Sequence, residues 1–435
     1  MKYQKYARLI VLVALLSTFY TTFAQTMTCN ASTDYLTTAQ NAKDSGDYDT
    51  AVDAYSCALE ADFFNNDLHL ARLGSAVLAG NYMSAYGDVF LLTTTAPDAV
   101  FAEIDRLSSE EDSLDRAKVR AFLAIFAVMP DYELAMSDAE QILATESDSA
   151  FAHVIQAAAY EGMEDFEAAV SAFNMATETE SDNAQIYGLM AAAQFTTFNI
   201  EGMATNASYA IELDDNIAQL YRLRGFTSMM TGDPAAAIED ANRAIKLDPN
   251  YFAYYVLRGN ALRATGDAEA ALTDFNRIIE LNPHTSFGFA LRAEILMDMG
   301  DTAAAAADMV TAIEMDASET VEGGALQADI PTTVTMTFGR VIHFQFEAQA
   351  GQSISITATS VEPNLVDSLI LLMAPDDTPL DFNDDVVPFG DSLDAAISDF
   401  EAPTDGVYTI VLTHALLTHA LGGSEGNVEV LVNAD

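Results

Sequence analysis

The sequence predicts a multidomain chain, an all-α solenoid of helical hairpins over residues 32–319 followed by an all-β sandwich over 327–435. Three observations predict it. A unit the length of Ala218–Tyr251 recurs along the first three quarters of the chain, each copy carries apolar residues at helical spacing on both sides of a short turn, and after Thr320 the spacing of apolar residues drops to two.

The clearest copy of the unit is Ala218 to Tyr251 itself. Moving it forward by its own length superposes Gly225 on Gly259, Gly232-Asp233 on Gly266-Asp267, Ala237 on Ala271 and Asp248-Pro249 on Asn282-Pro283; a second step reaches Ala293, Gly300-Asp301 and Ala305. Arg222 to Thr231 and Ala235 to Leu247 read as two antiparallel helices about the Gly-Asp turn. Gly225 and Ala237 fall where those helices cross, and small residues there let the backbones approach. Pro249 ends the second helix, because proline cannot continue it and disfavours helical geometry in the residue before.

This period, with its small-residue pattern, resembles the tetratricopeptide repeat, a helix-turn-helix unit that stacks into a superhelical solenoid. The register extends back through 184–217, 150–183 and 116–149, and again through 32–65, with Gly46-Asp47-Tyr48, and 66–99, with Gly80-Asn81-Tyr82, so about eight units are expected. The unit at 184–217 departs most, placing Phe198-Asn199 at the turn and Met203 at the small position. Residues 100–115 do not fit the register and are expected to add a helical turn or two and a loop, an insertion of the kind that sits at a binding edge.

Arg224, Arg258 and Arg292 recur once per unit, as do Asp240, Asp274 and Asp308, each Arg preceding its Asp by 16. Folding the second helix back over the first brings each pair within about a helical turn, which predicts a structural Arg–Asp ladder.

At the N-terminus Lys2, Lys5 and Arg8, the apolar run Leu9 to Leu16, and Thr22-Phe23-Ala24 read as a secretory signal peptide over 1–24, too short in its apolar part to span a membrane. The mature chain is therefore expected to be secreted, periplasmic or on the cell surface. Cys29 and Cys57 are the only cysteines, and in an exported chain they are expected to form a disulfide that pins the start of the solenoid. Removing Lys2, Lys5 and Arg8 with the signal takes the formal net charge from −48 to −51, which excludes nucleic acid as a partner. No Lys or Arg occurs from Ala121 to Tyr221, whereas eight fall from Arg222 to Arg292.

After a Gly-rich linker at 320–326, Ile342, Phe344 and Phe346 alternate with polar residues, as do Ile354, Ile356 and Ala358; further strands are expected at Leu369–Met373, Val407–Leu412 and Val428–Val432. Five or more short strands in so few residues predict a β-sandwich. The stretches HFQFEAQAGQSISITATS, DSLILLMAPDDTPLDFNDD and DGVYTIVLT also make 327–435 similar to the bacterial pre-peptidase C-terminal domain, a jelly-roll-like module. That resemblance implies an accessory role and, in some members, binding of calcium or an insoluble polymer. Asp381, Asn383, Asp384, Asp385 and Asp391 are the candidate calcium ligands, although Val386 stands where an EF-hand needs glycine. Gly422-Gly423-Ser424-Glu425-Gly426 matches a nucleophile-elbow pattern without its strand-to-helix context, and His414 and His419 fall on opposite strand faces.

No acid–base or nucleophile constellation is present, so the expected function is that of a non-enzymatic scaffold with a protein segment held on the concave face of the solenoid; the alternative is a surface- or polymer-binding protein acting through the sandwich. In the resembled family, positions two, five, nine and twelve of each first helix point inward. Carried onto this chain these are Gln219, Arg222, Phe226 and Met229, then Ala253, Val256, Asn260 and Arg263. Arg222, Phe226, Met229, Asn260 and Arg263 are thus the expected partner-binding residues.

Overall fold

A computed structural model describes residues 29, 34–62, 65–110, 113–127, 129–281, 283, 286–337, 339–361, 366–383, 394–414 and 426–434. The signal segment 1–24 lies outside the described residues. The described residues divide into two compact units, the first running to Thr265 and the second from Gly266 onward. Among the described residues no helix is long and apolar enough to cross a membrane.

The first unit is built of helical hairpins: α1 (Tyr35–Asp44) with α2 (Tyr48–Ala61), α3 (Asn66–Leu78) with α4 (Tyr82–Thr95), α6 (Leu114–Phe126) with α7 (Tyr132–Thr145), α8 (Ala150–Gly162) with α9 (Phe166–Thr179), α10 (Ala184–Thr196) with α11 (Ile200–Leu213), and α12 (Ala218–Met230) with α13 (Pro234–Leu247). α14 (Phe252–Thr265) follows, and a single helix, α5 (Pro97–Ser109), stands between the second and third hairpins. The stretch expected as a turn or two and a loop is thus mostly regular helix; Pro97 occupies its first position, where a missing N–H costs nothing.

Each hairpin turn is fixed by local chemistry. The residue before the second helix caps it through a side-chain oxygen: Asp47 accepts from the Thr50 amide, Asp131 from Leu134, Asp165 from Ala168 and Asp233 from Ala236. Each such cap contributes about 1 kcal/mol. Except before Asp131, where Pro130 stands, the preceding position is left-handed, which glycine adopts without strain, as at Gly46, Gly80 and Gly232; Glu164 (φ 66°) and Phe198 (φ 58°) take the same conformation with side chains attached. The turn geometry therefore persists at Phe198-Asn199, where the sequence marker is lost. At the helix crossing, a Cβ on Gly225 would lie 3.2 Å from Asp240 Cβ on the second helix and 2.8 Å from Leu257 Cδ2, so glycine keeps this approach free of crowding.

Ion pairs, buried or part-buried, tie the helices together. Arg224 donates to both carboxylate oxygens of Asp240, at 2.9 and 2.6 Å. The same grip joins Arg72 to Asp88 (2.9 and 2.6 Å) and Arg120 to Asp138 (2.9 and 2.6 Å). Arginines at this position also reach back to the preceding hairpin: Arg72 Nη1 donates to Ser56 Oγ at 3.1 Å and Arg258 Nη1 to Asn242 Oδ1 at 2.7 Å. One guanidinium thus bonds its own hairpin and the one before it. Bidentate arginine–carboxylate geometry is what makes such pairs specific in register. At the start of the unit, Cys29 and Cys57 form a disulfide, which ties residue 29 to α2.

The second unit contains α15 (Ala268–Leu281), α16 (Ser286–Asp298), α17 (Thr302–Asp316) and the strands β1 (Glu319–Ala325), β2 (Thr332–Met336), β3 (Arg340–Ala348), β4 (Ser353–Ser360), β5 (Ser368–Met373), β6 (Pro379–Asn383), β7 (Ala395–Glu401), β8 (Gly406–His414) and β9 (Gly426–Ala434). Arg292 repeats the staple, donating to both oxygens of Asp308 at 2.7 Å and to Asn276 Oδ1 at 2.8 Å. The strands form two sheets, ordered β1-β3-β8-β5-β6 and β2-β9-β4-β7. Phe344, Phe346, Ile370, Leu372, Ile410 and Leu412 of the first meet Ile354, Ile356, Val428, Val430 and Val432 of the second in one core.

Of the residues expected to form a linker at 320–326, all but Leu326 instead belong to β1, which pairs in parallel with β3, Val321 opposite Ile342. Its glycines suit that place, since a Cβ on Gly323 would collide with the Phe344 ring. The outer face of the five-stranded sheet is also apolar. Val341, Leu369, Leu371, Phe382 and Val411 pack against Ala290 and Ala293 of α16 and Ala305, Ala306, Met309, Ala312 and Ile313 of α17. Sheet and hairpin share this second core, which explains why β5 is buried on both faces.

Candidate partner-binding surface

α4 decides what the inner side of the first unit can do. Its sequence, YMSAYGDVFLLTTT, is apolar around most of its circumference, and every residue from Met83 to Thr93 is buried. Besides packing on α3 in its own hairpin, it lies against the first helices of later hairpins. Tyr82 stacks on Phe151 of α8 (ring centroids 5.0 Å apart), Tyr86 meets Phe126 of α6 edge-on (5.3 Å), and Phe90 meets Phe195 of α10 (6.4 Å). The Met83 amide donates to Gln185 Oε1 at 3.0 Å. Gly188 makes room for it, because a Cβ there would stand 2.9 Å from Met83 Sδ.

Arg222 is 1 % exposed and Phe226 2 % exposed, so neither can touch a partner. The Arg222 guanidinium carbon sits 5.6 Å from the Tyr86 ring centroid and 5.9 Å from that of Phe90, a cation–π arrangement in a dry setting. Burial pushes the Tyr86 hydroxyl up to about 12, with the Arg222 charge pulling it partly back. Tyr251 and Tyr254, whose rings meet edge-on at 4.1 Å, complete the buried cluster, and burial raises both of their hydroxyls as well. Phe226 packs edge-on against Phe195 at 5.1 Å. The trough expected from Arg222 and Phe226 is therefore filled by α4 of the same chain. Met229, Asn260 and Arg263 remain partly exposed.

The signal that sequence reasoning passed over was the all-round apolarity of α4, which sets it apart from amphipathic second helices such as α13. Large apolar side chains do reach the surface elsewhere in this unit: Met129 is 71 % exposed, Phe166 63 % and Val170 60 %, with Met163 beside them.

Of the candidate calcium ligands, Asp381 Oδ1 accepts from the Phe382 amide at 2.9 Å and Asn383 Oδ1 from the Ala396 amide at 2.9 Å. Burial raises the Asp381 carboxyl, with the Phe382 amide opposing it. Asp384, Asp385 and Asp391 lie outside the described residues, as do His419 and residues 422–425, while Gly426 begins β9.

Residues 231–284 match the family model described as tetratricopeptide repeat. No curated relative matches the chain. Among solved structures the chain is similar to the APC/C hetero-tetramer Cut9–Hcn1 (14 % identity over 66 % of this chain and 53 % of that one, TM-score 0.40). It is similar also to a tetratricopeptide repeat protein from Parabacteroides merdae (18 %, 61 % and 98 %, TM-score 0.37). A third is YrrB, described as a tetratricopeptide protein with an unusual peptide-binding site (17 %, 41 % and 91 %, TM-score 0.34).

Proposed function

We propose that this protein is an exported, non-enzymatic scaffold that binds a protein partner through the surface of its helical repeats. The observation that carries the reading is the division of apolar residues in the first unit: α4 uses up the inner face, while Met129, Met163, Phe166 and Val170 stay exposed at or near the turns of two packed hairpins. Large apolar groups held on a rigid surface are what protein recognition uses. The Cys29–Cys57 disulfide supports export, since such bonds persist in oxidising compartments. We read the sandwich, with its resemblance to the pre-peptidase C-terminal domain, as an accessory module closing the last hairpin, and Met229, Asn260 and Arg263 as a secondary contact region.

Crosslinking capture from the source organism's extracytoplasmic fraction with the mature chain tests the reading. The same partner should be recovered repeatedly, and its recovery should fall when repeat surface residues are changed. Capture insensitive to every repeat variant but competed by residues 266–435 would transfer the function to the sandwich, and capture of nothing would defeat the scaffold reading.

A further inference from the structure

The exposed apolar edge has a structural cause. Tyr132, the first residue of α7, lies over Gly162 at the end of α8, where a Cβ would collide with its ring. Phe166 begins α9 just as Tyr132 begins α7, one repeat further on, and the residue that should receive it is one repeat beyond Gly162, namely Thr196. Thr196 has a side chain and is half-buried, so no bare backbone is available for the ring, and Phe166 stays 63 % exposed. Val170 lies one turn further along the same helix face. Met163, which caps α8, and Met129, its counterpart one repeat earlier, extend the apolar strip across two hairpins, because the Tyr132–Gly162 contact holds the two turns side by side.

The rim is of one sign. Glu133, Glu164, Asp165 and Glu167 are all exposed around the strip. The sequence from Ala121 to Tyr221 holds 17 acidic residues and no Lys or Arg. A field of that kind attracts cations and repels most of this chain's own acidic surface.

Resting on the scaffold reading, we propose that Met129, Met163, Phe166 and Val170, with Glu164 and Glu167 at their margin, form a docking surface for a cationic amphipathic protein segment, one that alternates apolar side chains with lysine or arginine. The apolar groups supply contact and the carboxylates select for charge.

The test uses the full mature chain with its disulfide intact and a fluorescein-labelled helical peptide of leucine and lysine, beside a twin with glutamate for lysine, read by fluorescence anisotropy. The lysine peptide should bind and weaken as salt rises, and the glutamate twin should not bind. Phe166→Ser with Val170→Ser should weaken binding about tenfold, and Glu164→Gln with Glu167→Gln by about threefold or more, with a shallower salt dependence. Glu239→Gln with Glu269→Gln removes the same charge elsewhere and should change affinity less than about twofold. Equal binding by the Phe166→Ser/Val170→Ser chain overturns the proposal, as does binding of the glutamate twin or an equal loss in the Glu239/Glu269 control. Concentration-dependent self-association abolished by Phe166→Ser/Val170→Ser would assign the strip to a second copy and overturn it likewise. Partner capture by the Phe166→Ser/Val170→Ser chain separates the two readings, because undiminished capture removes this surface and leaves the scaffold standing.

Discussion

Arg72 grips both oxygens of Asp88, sixteen residues further on, in the geometry that Arg224 has with Asp240 and Arg292 with Asp308, and His69 Nδ1 adds a third contact at 2.6 Å. Arg72 and Asp88 are both fully buried, whereas the Arg224 side chain is 34 % exposed. Arg72→Ala should therefore cost about 3–5 kcal/mol, since it strands a buried carboxylate, and Arg224→Ala only about 1–3 kcal/mol. Urea unfolding of the two variants measures this, and equal losses would show that burial does not set the scale. Arg72→Met combined with Asp88→Leu should recover much of the loss.

Asp88 gives the stability a defined response to acid. Burial alone would raise its carboxyl, but the Arg72 charge and the hydrogen bonds from His69 and Arg72 outweigh that and hold it below its usual value. A carboxyl depressed on folding stabilises the protein above its unfolded pKa of about 3.9 and loses that contribution as pH falls through the lower folded value. Stability of the native chain should drop below about pH 4, and Asp88→Asn, less stable at neutral pH, should show a flatter decline over the same range. Parallel curves would remove Asp88 from the account.

The buried tyrosines predict the opposite limit. Tyr86, Tyr251 and Tyr254 are raised, chiefly by burial, above the value of about 10 that an unfolded chain shows. Their contribution is complete below that pH and is lost as pH rises through the folded values. In an alkaline titration, part of the phenolate absorbance should appear only together with loss of helical circular dichroism. Full ionisation with the helical signal intact would contradict the burial of this cluster.

Gly162→Ala should destabilise the first unit by about 1–3 kcal/mol, because the new methyl group collides with the Tyr132 ring and must displace it. Adding Tyr132→Ala should make Gly162→Ala nearly neutral in that background, which a double-mutant thermal-melt cycle would reveal.

The second core beneath α16 and α17 sets the smallest autonomous fragment. Residues 327–435 alone would expose Val341, Leu369, Leu371, Phe382 and Val411, and should aggregate or bind a hydrophobic dye. Residues 266–435 should be monomeric and melt cooperatively. A well-behaved 327–435 fragment would mean that the helical hairpin is dispensable to the sheet.

What the sequence made legible was what its residues settle locally. The Gly-Asp turns, the crossing at Gly225 and the alternating strands β3, β4, β8 and β9 depend on neighbours within a few residues or one repeat. Arg72–Asp88 had the same sixteen-residue spacing as the later pairs but lacked their recurrence from one repeat to the next, and Arg120–Asp138, eighteen apart, broke the spacing. Glu322-Gly323-Gly324 reads as a linker by composition, yet Gly323 is required by Phe344, which lies further along the chain. The burial of Arg222 was beyond local reasoning, because its neighbours Tyr86 and Phe90 precede it by several repeats.

A stack of repeats ordinarily behaves as a row of units, each answering only to its neighbours, so that ends fray separately and a unit can be gained or lost. By placing Met83 against Gly188 and Phe90 beside Arg222, α4 closes that row into a circuit. The hairpins between Leu114 and Leu213 should then fold and melt as one cooperative body, with slow closure set by long-range contacts. Deleting any single repeat from that span would carry Gly188 and Arg222 out of register with α4, so the number of repeats in this part of the chain is fixed.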